Sequence, residues 1–238
     1  MPARCLLYYI TDRTALAADE PTRRRRLLEK IAEAAQAEVD YIQLREKDLS
    51  ARDLESLAGE AVVLLDKLRT KNPELRTALL INSRTDVAQA VEADGVHVRS
   101  DDISPKEVKV IWQNSSCGRG RLARAASQQP PLIAVSCHSP AEVKEAAAQA
   151  ATFAVFAPVF EKKDFQKKGF EKKEPQPAGL AALEEACRAK IPVLALGGIT
   201  LANSASCLEA GAAGVAGIRL FQENNIEQIV RALREPLQ

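Results

Sequence analysis

Short apolar runs alternate with longer amphipathic segments along most of the chain. Eight of these runs are rich in Val, Ile, Leu and Ala and are apolar on both faces, which is typical of parallel strands covered on two sides. They are CLLYYI (5–10), VDYIQL (39–44), TALLI (77–81), DGVHV (94–98), PLIAV (131–135), TFAVF (152–156), PVLAL (192–196) and AGVAG (213–217). The pattern therefore predicts eight buried strands.

Segments with helical periodicity separate the apolar runs. They cover residues 22–37, 50–70, 84–92, 104–112, 140–150, 178–189, 201–210 and 223–234. Ser50, Ser104 and Ser139 stand where helix N-caps are expected. Repeated β-then-α units build either a closed barrel or an open doubly wound sheet. The regularity of the eight units, and the lack of GxGxxG after the first strand, favour an α/β fold: a (βα)8 TIM barrel forming a single domain over residues 1–238.

Two segments do not fit this alternation of strands and helices. Residues 113–130 form a polar connection rich in Gly, Ser and Arg that leads from a helix to a strand, so we expect a surface insertion opposite the active face. Residues 161–175, EKKDFQKKGFEKKEP, repeat a lysine-bearing pentad three times after strand six, which places them on the active face. We interpret this repeat as a lid that neutralises phosphate charge, with a solvated insertion as the alternative.

Charge and cysteine content limit the classes of partner. Lys and Arg total 33 against 32 for Asp and Glu, a net charge of +1, so nothing attracts the whole chain to nucleic acid or to a membrane. The lysine repeat contains interspersed acids and is a weak nucleic-acid footprint. Five cysteines without CxxC spacing, and an N-terminal apolar run too short for a signal peptide, predict a cytoplasmic protein with reduced thiols. The sequence leaves a homo-oligomer open.

The most informative motif is Gly197-Gly198-Ile199-Thr200, which follows strand seven. In a barrel, active sites are built where strands end, and the loops after strands seven and eight commonly bind phosphate. Glycines allow backbone N–H groups to approach a ligand closely. We therefore expect a phosphorylated substrate here, and the alternative is a turn whose role is only geometric.

The sequence QLREK (43–47) places alternating polar residues at the end of strand two. Gln43, Arg45 and Lys47 point the same way if the chain stays extended. An arginine and a lysine together suit a diphosphate. The alternative is salt bridging of these cations with Glu46 and Asp48.

Three further residues could take part in chemistry. Asp101 and Asp102 could hold Mg²⁺, although Asp102 could instead cap the next helix. His138 follows strand five and could act as an acid or base, or could serve only as a structural hydrogen-bonding residue. His97 alternates with apolar residues and is expected inside the barrel.

Seven stretches carry a family resemblance, in order and over nearly the whole chain. They are YYITDR, YIQLREKDLS, INSRTDVAQAVEADGVHV, AVSCHSPAEV, FAPVF, PVLALGGIT and GAAGVAGI. Together they resemble the thiamin phosphate synthase/TenI superfamily of (βα)8 barrels. The resemblance implies a transferase of thiamin biosynthesis, which joins hydroxymethylpyrimidine diphosphate to thiazole phosphate and releases pyrophosphate with the help of Mg²⁺.

The resemblance also implies a role for individual residues. Substrate contacts fall on Gln43, Arg45, Lys47, Asn82, Gly197, Gly198, Ile218 and Arg219, and a metal site falls on Asp102 with Asp101. The catalytic set comprises Arg45, Lys47, Ser136, His138 and one lysine of the repeat, for which we select Lys168. Phosphorylated pyrimidine and thiazole molecules are the expected partners.

Three departures from the family pattern leave alternatives open. Ser83 stands where synthases usually have a second acidic metal ligand, Arg219 stands where a small polar residue is usual, and the lysine repeat replaces the usual loop after strand six. The first alternative is a TenI-type thiazole tautomerase that uses His138 and needs no metal. The second is a diverged barrel that binds another phosphorylated small molecule.

Overall fold

The structure, a computed structural model, describes residues 4–115, 130–161 and 176–234. Within these ranges, eight parallel strands close into a barrel in sequential order, and the first strand pairs with both the second and the last. The strands are β1 (Leu6–Ile10), β2 (Tyr41–Leu44), β3 (Ala78–Asn82), β4 (Gly95–Arg99), β5 (Leu132–Cys137), β6 (Phe153–Phe156), β7 (Val193–Ala195) and β8 (Gly214–Gly217). The predicted (βα)8 barrel is confirmed.

Helices connect successive strands around the outside. They are α1 (Glu20–Gln36), α2 (Ala51–Lys71), α3 (Thr85–Ala90), α4 (Pro105–Ser115), α5 (Pro140–Ala148), α6 (Gly179–Cys187), α7 (Leu201–Glu209), α8 (Arg219–Gln222) and α9 (Ile226–Arg234). The predicted caps are present, since Ser50, Ser104 and Ser139 each accept the backbone N–H three residues on. Among the described residues, no helix combines the length and apolar character needed to cross a bilayer.

The last helical segment differs from the prediction of one helix over 223–234. The helix in this range, α9, begins at Ile226, and the short helix α8 that precedes it was not predicted. Two asparagines separate α8 from α9. Asn224 donates its side-chain amide to the carbonyl of Leu220 at 3.0 Å, and the side chain of Asn225 accepts the N–H of Gln228 at 3.0 Å. These side-chain bonds compete with helical backbone bonds, so one helix ends and another begins here.

Inward-facing side chains fill the barrel. The interior cluster contains Tyr8, Ile10, Ala78, Leu80, Ala134, Phe153, Val155, Leu194 and Ala216. Tyr41 stacks on Phe153 with ring centroids 4.6 Å apart, and Tyr8 meets Phe153 edge-on at 5.5 Å. The interior is therefore a packed core, and a ligand has room only where the strands end.

Several helices end in the same way before they return to a strand. Glu38, Glu92, Ala150 and Gly211 all have φ between +58° and +94°. In each case the N–H of the following residue bonds the carbonyl five residues back, as in the bond from Val39 to Ala34. This is the Schellman arrangement, and it explains why the sequences before these strands resemble one another.

Aspartates anchor the amino ends of two strands. Asp40 accepts the N–H of Leu7 and a guanidinium N–H of Arg234, both at 2.8 Å. Asp94 makes the matching pair of 2.8 Å bonds, from the N–H of Leu79 and from Arg69. The face opposite the active site is thus held by charge-assisted bonds between consecutive βα units.

The two predicted interruptions lie largely outside the described residues. Residues 113–115 belong to α4, and 116–129 of the insertion are not described. The lysine repeat from 162 onward, with Lys168, is also outside. Its flanks meet at the end of β6, where Ala178 donates its N–H to the Pro158 carbonyl at 2.8 Å.

Candidate active site

The carboxyl ends of β2 to β5 bring several predicted residues together. Asn82 lies opposite His97 in the β3–β4 register, and Arg99 lies opposite Ser136 in the β4–β5 register. Gln43 donates its side-chain amide to Asn82 Oδ1 at 3.0 Å. We call the edge formed by Gln43, Asn82, Arg99 and Ser136 the β2–β5 rim.

A buried chain of hydrogen bonds supports this rim from below. The Tyr8 hydroxyl lies 2.9 Å from His97 Nδ1, and His97 Nε2 lies 2.7 Å from Ser136 Oγ. Tyr8 is fully buried and His97 is 2% exposed, so the predicted interior position of His97 is confirmed. Burial lowers the pKa of His97 to about 3, with the charge of Arg45 as the second cause, and burial raises the pKa of Tyr8.

This chain fixes the direction in which the Ser136 hydroxyl can donate. Tyr8 carries a hydrogen to donate, and within the described ranges its hydroxyl is bonded to His97. Neutral His97 then accepts at Nδ1 and carries its own hydrogen on Nε2, which it donates to Ser136 Oγ. The hydrogen of Ser136 is left to bond a ligand above the rim.

A buried ion-pair network holds the loop after β2. Arg13 donates to Glu46 at 3.3 Å and to Asp48 at 2.6 Å, and its side chain is 3% exposed. Thr11 donates its hydroxyl to Glu46 and accepts the N–H of Arg45 at 3.0 Å. Glu46 and Asp48 are therefore taken by Arg13, and the alternative in which they pair with Arg45 and Lys47 is wrong.

The cations of this loop face positive charge. The charge of Arg45 lowers the pKa of Lys47, and burial and the charge of Arg99 lower it further. Arg45 is half-buried, and the chain turns at Lys47 instead of staying extended. Like charges held this close are stabilised when an anion binds between them.

The acidic residues after β4 have specific partners. Asp102 Oδ2 accepts the Ser83 hydroxyl at 2.9 Å and the N–H of Arg99 at 3.3 Å. Ser104 caps α4, with its own N–H donated to Glu107 at 2.8 Å, so the alternative role of Asp102 as the cap is wrong. The described part of the chain contains no group of three or more His, Cys, Asp or Glu suited to a metal.

The glycines after β7 are required by their conformation and their surroundings. Gly197 and Gly198 have φ of +98° and +64°. A Cβ on Gly197 would lie 2.7 Å from the Cα of Pro158, and one on Gly198 would lie 2.5 Å from the carbonyl oxygen of Glu161. Both glycines are therefore required for the shape of this turn. The backbone of the turn lies beside the loop that follows β6.

The end of β8 lies next to the glycine turn because β7 and β8 pair. Ile218 follows β8 and Arg219 begins α8. Gln222 of α8 accepts the Tyr9 hydroxyl at 3.0 Å and donates to the Asp12 carbonyl at 2.7 Å. This pair of bonds joins the first and last loops of the site, and no local pattern in the sequence indicates it.

His138 lies at the edge of the site. It is exposed, and its Nδ1 donates to the Ala157 carbonyl at 2.6 Å. Its backbone N–H donates to Glu142 at 2.8 Å. This bond orients the ring, and the catalytic use of His138 stays a prediction.

Comparisons with known proteins decide the family. The family model described as thiamine monophosphate synthase (TMP-TENI) matches residues 7–119 and 119–221. The chain belongs to this family. The predicted superfamily is confirmed, while the roles of the individual site residues stay predictions.

Relatives of this family match nearly the whole chain. It is 35% identical over 216 residues to the thiamine-phosphate synthase of Roseiflexus castenholzii, covering 90% of this chain and 80% of the relative. This chain is also 33% identical over 234 residues to the thiamine-phosphate synthase of Syntrophomonas wolfei, and the match covers 96% of this chain and 94% of the relative. The solved thiamine phosphate pyrophosphorylase of Pyrococcus furiosus superposes with a TM-score of 0.71 at 24% identity, covering 97% of this chain and 94% of that one.

Proposed function

We propose that this protein is a thiamine-phosphate synthase, a transferase that joins hydroxymethylpyrimidine diphosphate to thiazole phosphate and releases pyrophosphate. The observation that carries the proposal is the meeting of Gln43, Asn82 and Ser136 on one rim with Arg45 and Lys47 beside them, in a chain of this family.

The pyrimidine diphosphate occupies the β2–β5 half of the site. The paired amides of Gln43 and Asn82 offer donors and acceptors of the kind that a pyrimidine edge requires. Arg45 binds phosphate oxygens as a planar fork, and Lys47 binds them as a point charge. Their mutual repulsion is relieved when the diphosphate lies between them.

The same cations favour the chemical step. Charge develops on the diphosphate as its bond to the pyrimidine methylene breaks, and fixed positive groups stabilise that charge more than they stabilise the substrate. The outward hydrogen of Ser136 donates to an oxygen of the leaving group. The thiazole nitrogen then attacks the methylene carbon and forms the new carbon–nitrogen bond.

The thiazole phosphate occupies the β7–β8 half. The backbone at Gly198 and at Ile218 lies where barrels of this type commonly bind phosphate, and Arg219 adds a positive charge at the start of α8. In this proposal the two substrates bind on opposite sides of one barrel opening.

Asp102 fits a Mg²⁺ ion held through a single protein carboxylate. Its Oδ2 accepts the Ser83 hydroxyl and the Arg99 N–H, and among the described residues Oδ1 accepts no hydrogen bond and can face a cation. Mg²⁺ commonly takes its other ligands from water and substrate phosphate. The bound ion would offset charge on the pyrophosphate. A role for Asp101 and for Lys168 stays a prediction.

The test is formation of thiamin phosphate from both substrates by the purified protein, with Mg²⁺ and with EDTA. Arg45→Ala should lose about 100-fold in kcat/KM, because one fixed positive group is removed from the transition state. Arg25→Ala, which removes an exposed arginine of α1 paired with Glu29, should match the unaltered protein.

Two results would contradict the proposal. The first is no product from the unaltered protein beside an active control enzyme. The second is aromatisation of the thiazole carboxylate phosphate tautomer that is lost in His138→Asn, because that result assigns the tautomerase reaction instead.

A further inference from the structure

Arg99 is a charged residue of the β2–β5 rim to which the function proposed above gives no role. It ends β4, and its side chain is 62% exposed. His97, two residues earlier, faces the barrel interior, and side chains two apart on a strand share a face. The side chain of Arg99 therefore leaves the barrel on the substrate side, opposite Ser136 in the register.

Two aspartates lie beside this guanidinium. Nε of Arg99 lies 3.2 Å from Asp101 Oδ1 and 3.7 Å from Asp102 Oδ2. Within the described ranges, Nε is the guanidinium nitrogen nearest to each of these two carboxylates. A guanidinium whose inner nitrogen faces its carboxylate partners can offer its outer nitrogens to a phosphate as a bidentate fork.

The position of Arg99 relative to the other cations fits the same ligand. Its charge acts on Lys47, which in turn lies within the field of Arg45. Arg45 and Lys47 follow the end of β2 and Arg99 ends β4, so all three cations belong to the carboxyl ends of the strands, where a diphosphate with several negative oxygens can bind them.

The acidic side of the site explains why a third cation is useful here. Ser83 donates its hydroxyl to Asp102 and supplies no carboxylate of its own. A metal bound through Asp102 alone is held weakly, and the guanidinium 3.7 Å from that carboxylate repels it further.

We propose that Arg99 is a third phosphate-binding cation of the diphosphate subsite and supplies part of the charge neutralisation otherwise left to Mg²⁺. The proposal rests on the synthase function and deepens it. It predicts that the protein binds pyrophosphate when no divalent cation is present.

The experiment is calorimetric titration of the full-length protein with pyrophosphate in EDTA. Arg99→Gln should weaken binding about tenfold, the loss expected for one charge-assisted bond, whereas Arg99→Lys should retain most of the affinity. Arg188→Gln is the matched control, since Arg188 is an exposed arginine of comparable exposure that pairs with Glu184 on α6. Thermal melts of all variants report whether each is folded.

The outcomes separate this inference from the reaction itself. If Arg99→Gln binds pyrophosphate in EDTA as tightly as the unaltered protein, or if neither binds, the role of Arg99 is overturned even when thiamin phosphate forms. If the predicted loss is seen but no thiamin phosphate forms, the subsite stands and the assigned reaction does not. Two results together support the role of Arg99 and the synthase reaction. Arg99→Gln must bind pyrophosphate more weakly in EDTA, and its formation of thiamin phosphate must depend more strongly on Mg²⁺ than that of the unaltered protein.

Discussion

The direction of one hydroxyl on the rim is set by residues beneath it. Ser136 takes a hydrogen bond from His97, which takes one from Tyr8. Tyr8→Phe removes the first donor, so the tautomer of His97 is no longer fixed and the Ser136 hydrogen is no longer directed outward. We expect kcat/KM for thiamin phosphate formation to fall about tenfold, the worth of one hydrogen bond.

A double-mutant cycle distinguishes this positioning role from a structural one. In a Ser136→Ala background, Tyr8→Phe should have no further effect on kcat/KM. Equal losses in both backgrounds would show that Tyr8 only packs the interior.

Acid sensitivity is a second property at the residue scale. His97 has a folded pKa of about 3, well below its unfolded value near 6.5, so between these values the unfolded chain binds a proton that the folded protein does not. Its contribution to stability is thus present above pH 6.5 and is lost as pH falls. Between pH 7 and pH 5 the unfolding free energy should drop by about 2 kcal/mol from this residue. Urea denaturation at both pH values tests this, with His97→Gln as the variant in which that share of the drop should vanish.

Individual site residues differed in how well the sequence revealed them. Gln43, Asn82 and Ser136 could be proposed because polar residues that end apolar runs stand out. Tyr8 and Gln222 could not, since one looks like any strand residue and the other like any helix residue. Their partners lie 89 and 210 or more positions away, and a local pattern carries no information about such contacts.

At the scale of elements, some of the helix C-termini that precede strands have backbone strain that a single substitution to glycine can relieve. Ala150 has φ of +60°, a conformation that costs a residue with a Cβ about 1 kcal/mol. Ala150→Gly should therefore raise the unfolding free energy by roughly 0.5–1 kcal/mol. Ala148→Gly, at an exposed helical position two residues earlier, should lower it by a similar amount. Opposite signs in denaturant melts support this account, and equal signs contradict it.

The loop after β3 offers a complementary change. Ser83 has φ of +53°, a region that Asp tolerates better than most residues with a side chain. Ser83→Asp would place a second carboxylate beside Asp102, so we expect a lower Mg²⁺ concentration for half-maximal pyrophosphate binding. Ser206→Asp, on α7, controls for added charge. An unchanged Mg²⁺ requirement would argue against a cation site at Asp102.

The secondary-structure elements were predicted more completely than the individual site residues. All eight strands and the order of helices follow from the period of apolar residues, which reflects how each segment is covered. The short helix α8 and the start of α9 at Ile226 were missed, because the boundary between them depends on side-chain bonds of Asn224 and Asn225 that leave the apolar period unbroken.

At the scale of the whole molecule, stability and chemistry lie on opposite faces of the barrel. Asp40→Ala removes the partner of a buried backbone N–H and of Arg234 on the face away from the site. We expect it to lower the unfolding free energy by about 3 kcal/mol while kcat/KM stays unchanged below the melting range. Arg45→Ala should lower kcat/KM while the unfolding free energy stays unchanged.

Glu227→Ala serves as the control for Asp40→Ala, because its carboxylate pairs with Arg231 in an exposed position on α9 and should contribute less than about 0.5 kcal/mol. Joint loss of stability and activity in Asp40→Ala would mean that the two faces are coupled.

The pairing of β1 with β8 has a consequence while the chain is being made. β1 is translated before the other seven strands, and the strand that covers its second edge is translated after them. At ordinary translation speeds this edge waits about 10–40 s for its partner. An uncovered strand edge is a template for pairing with neighbouring nascent chains. Crowded polysomes are therefore where this protein is most exposed to aggregation, even though the finished barrel presents no such edge.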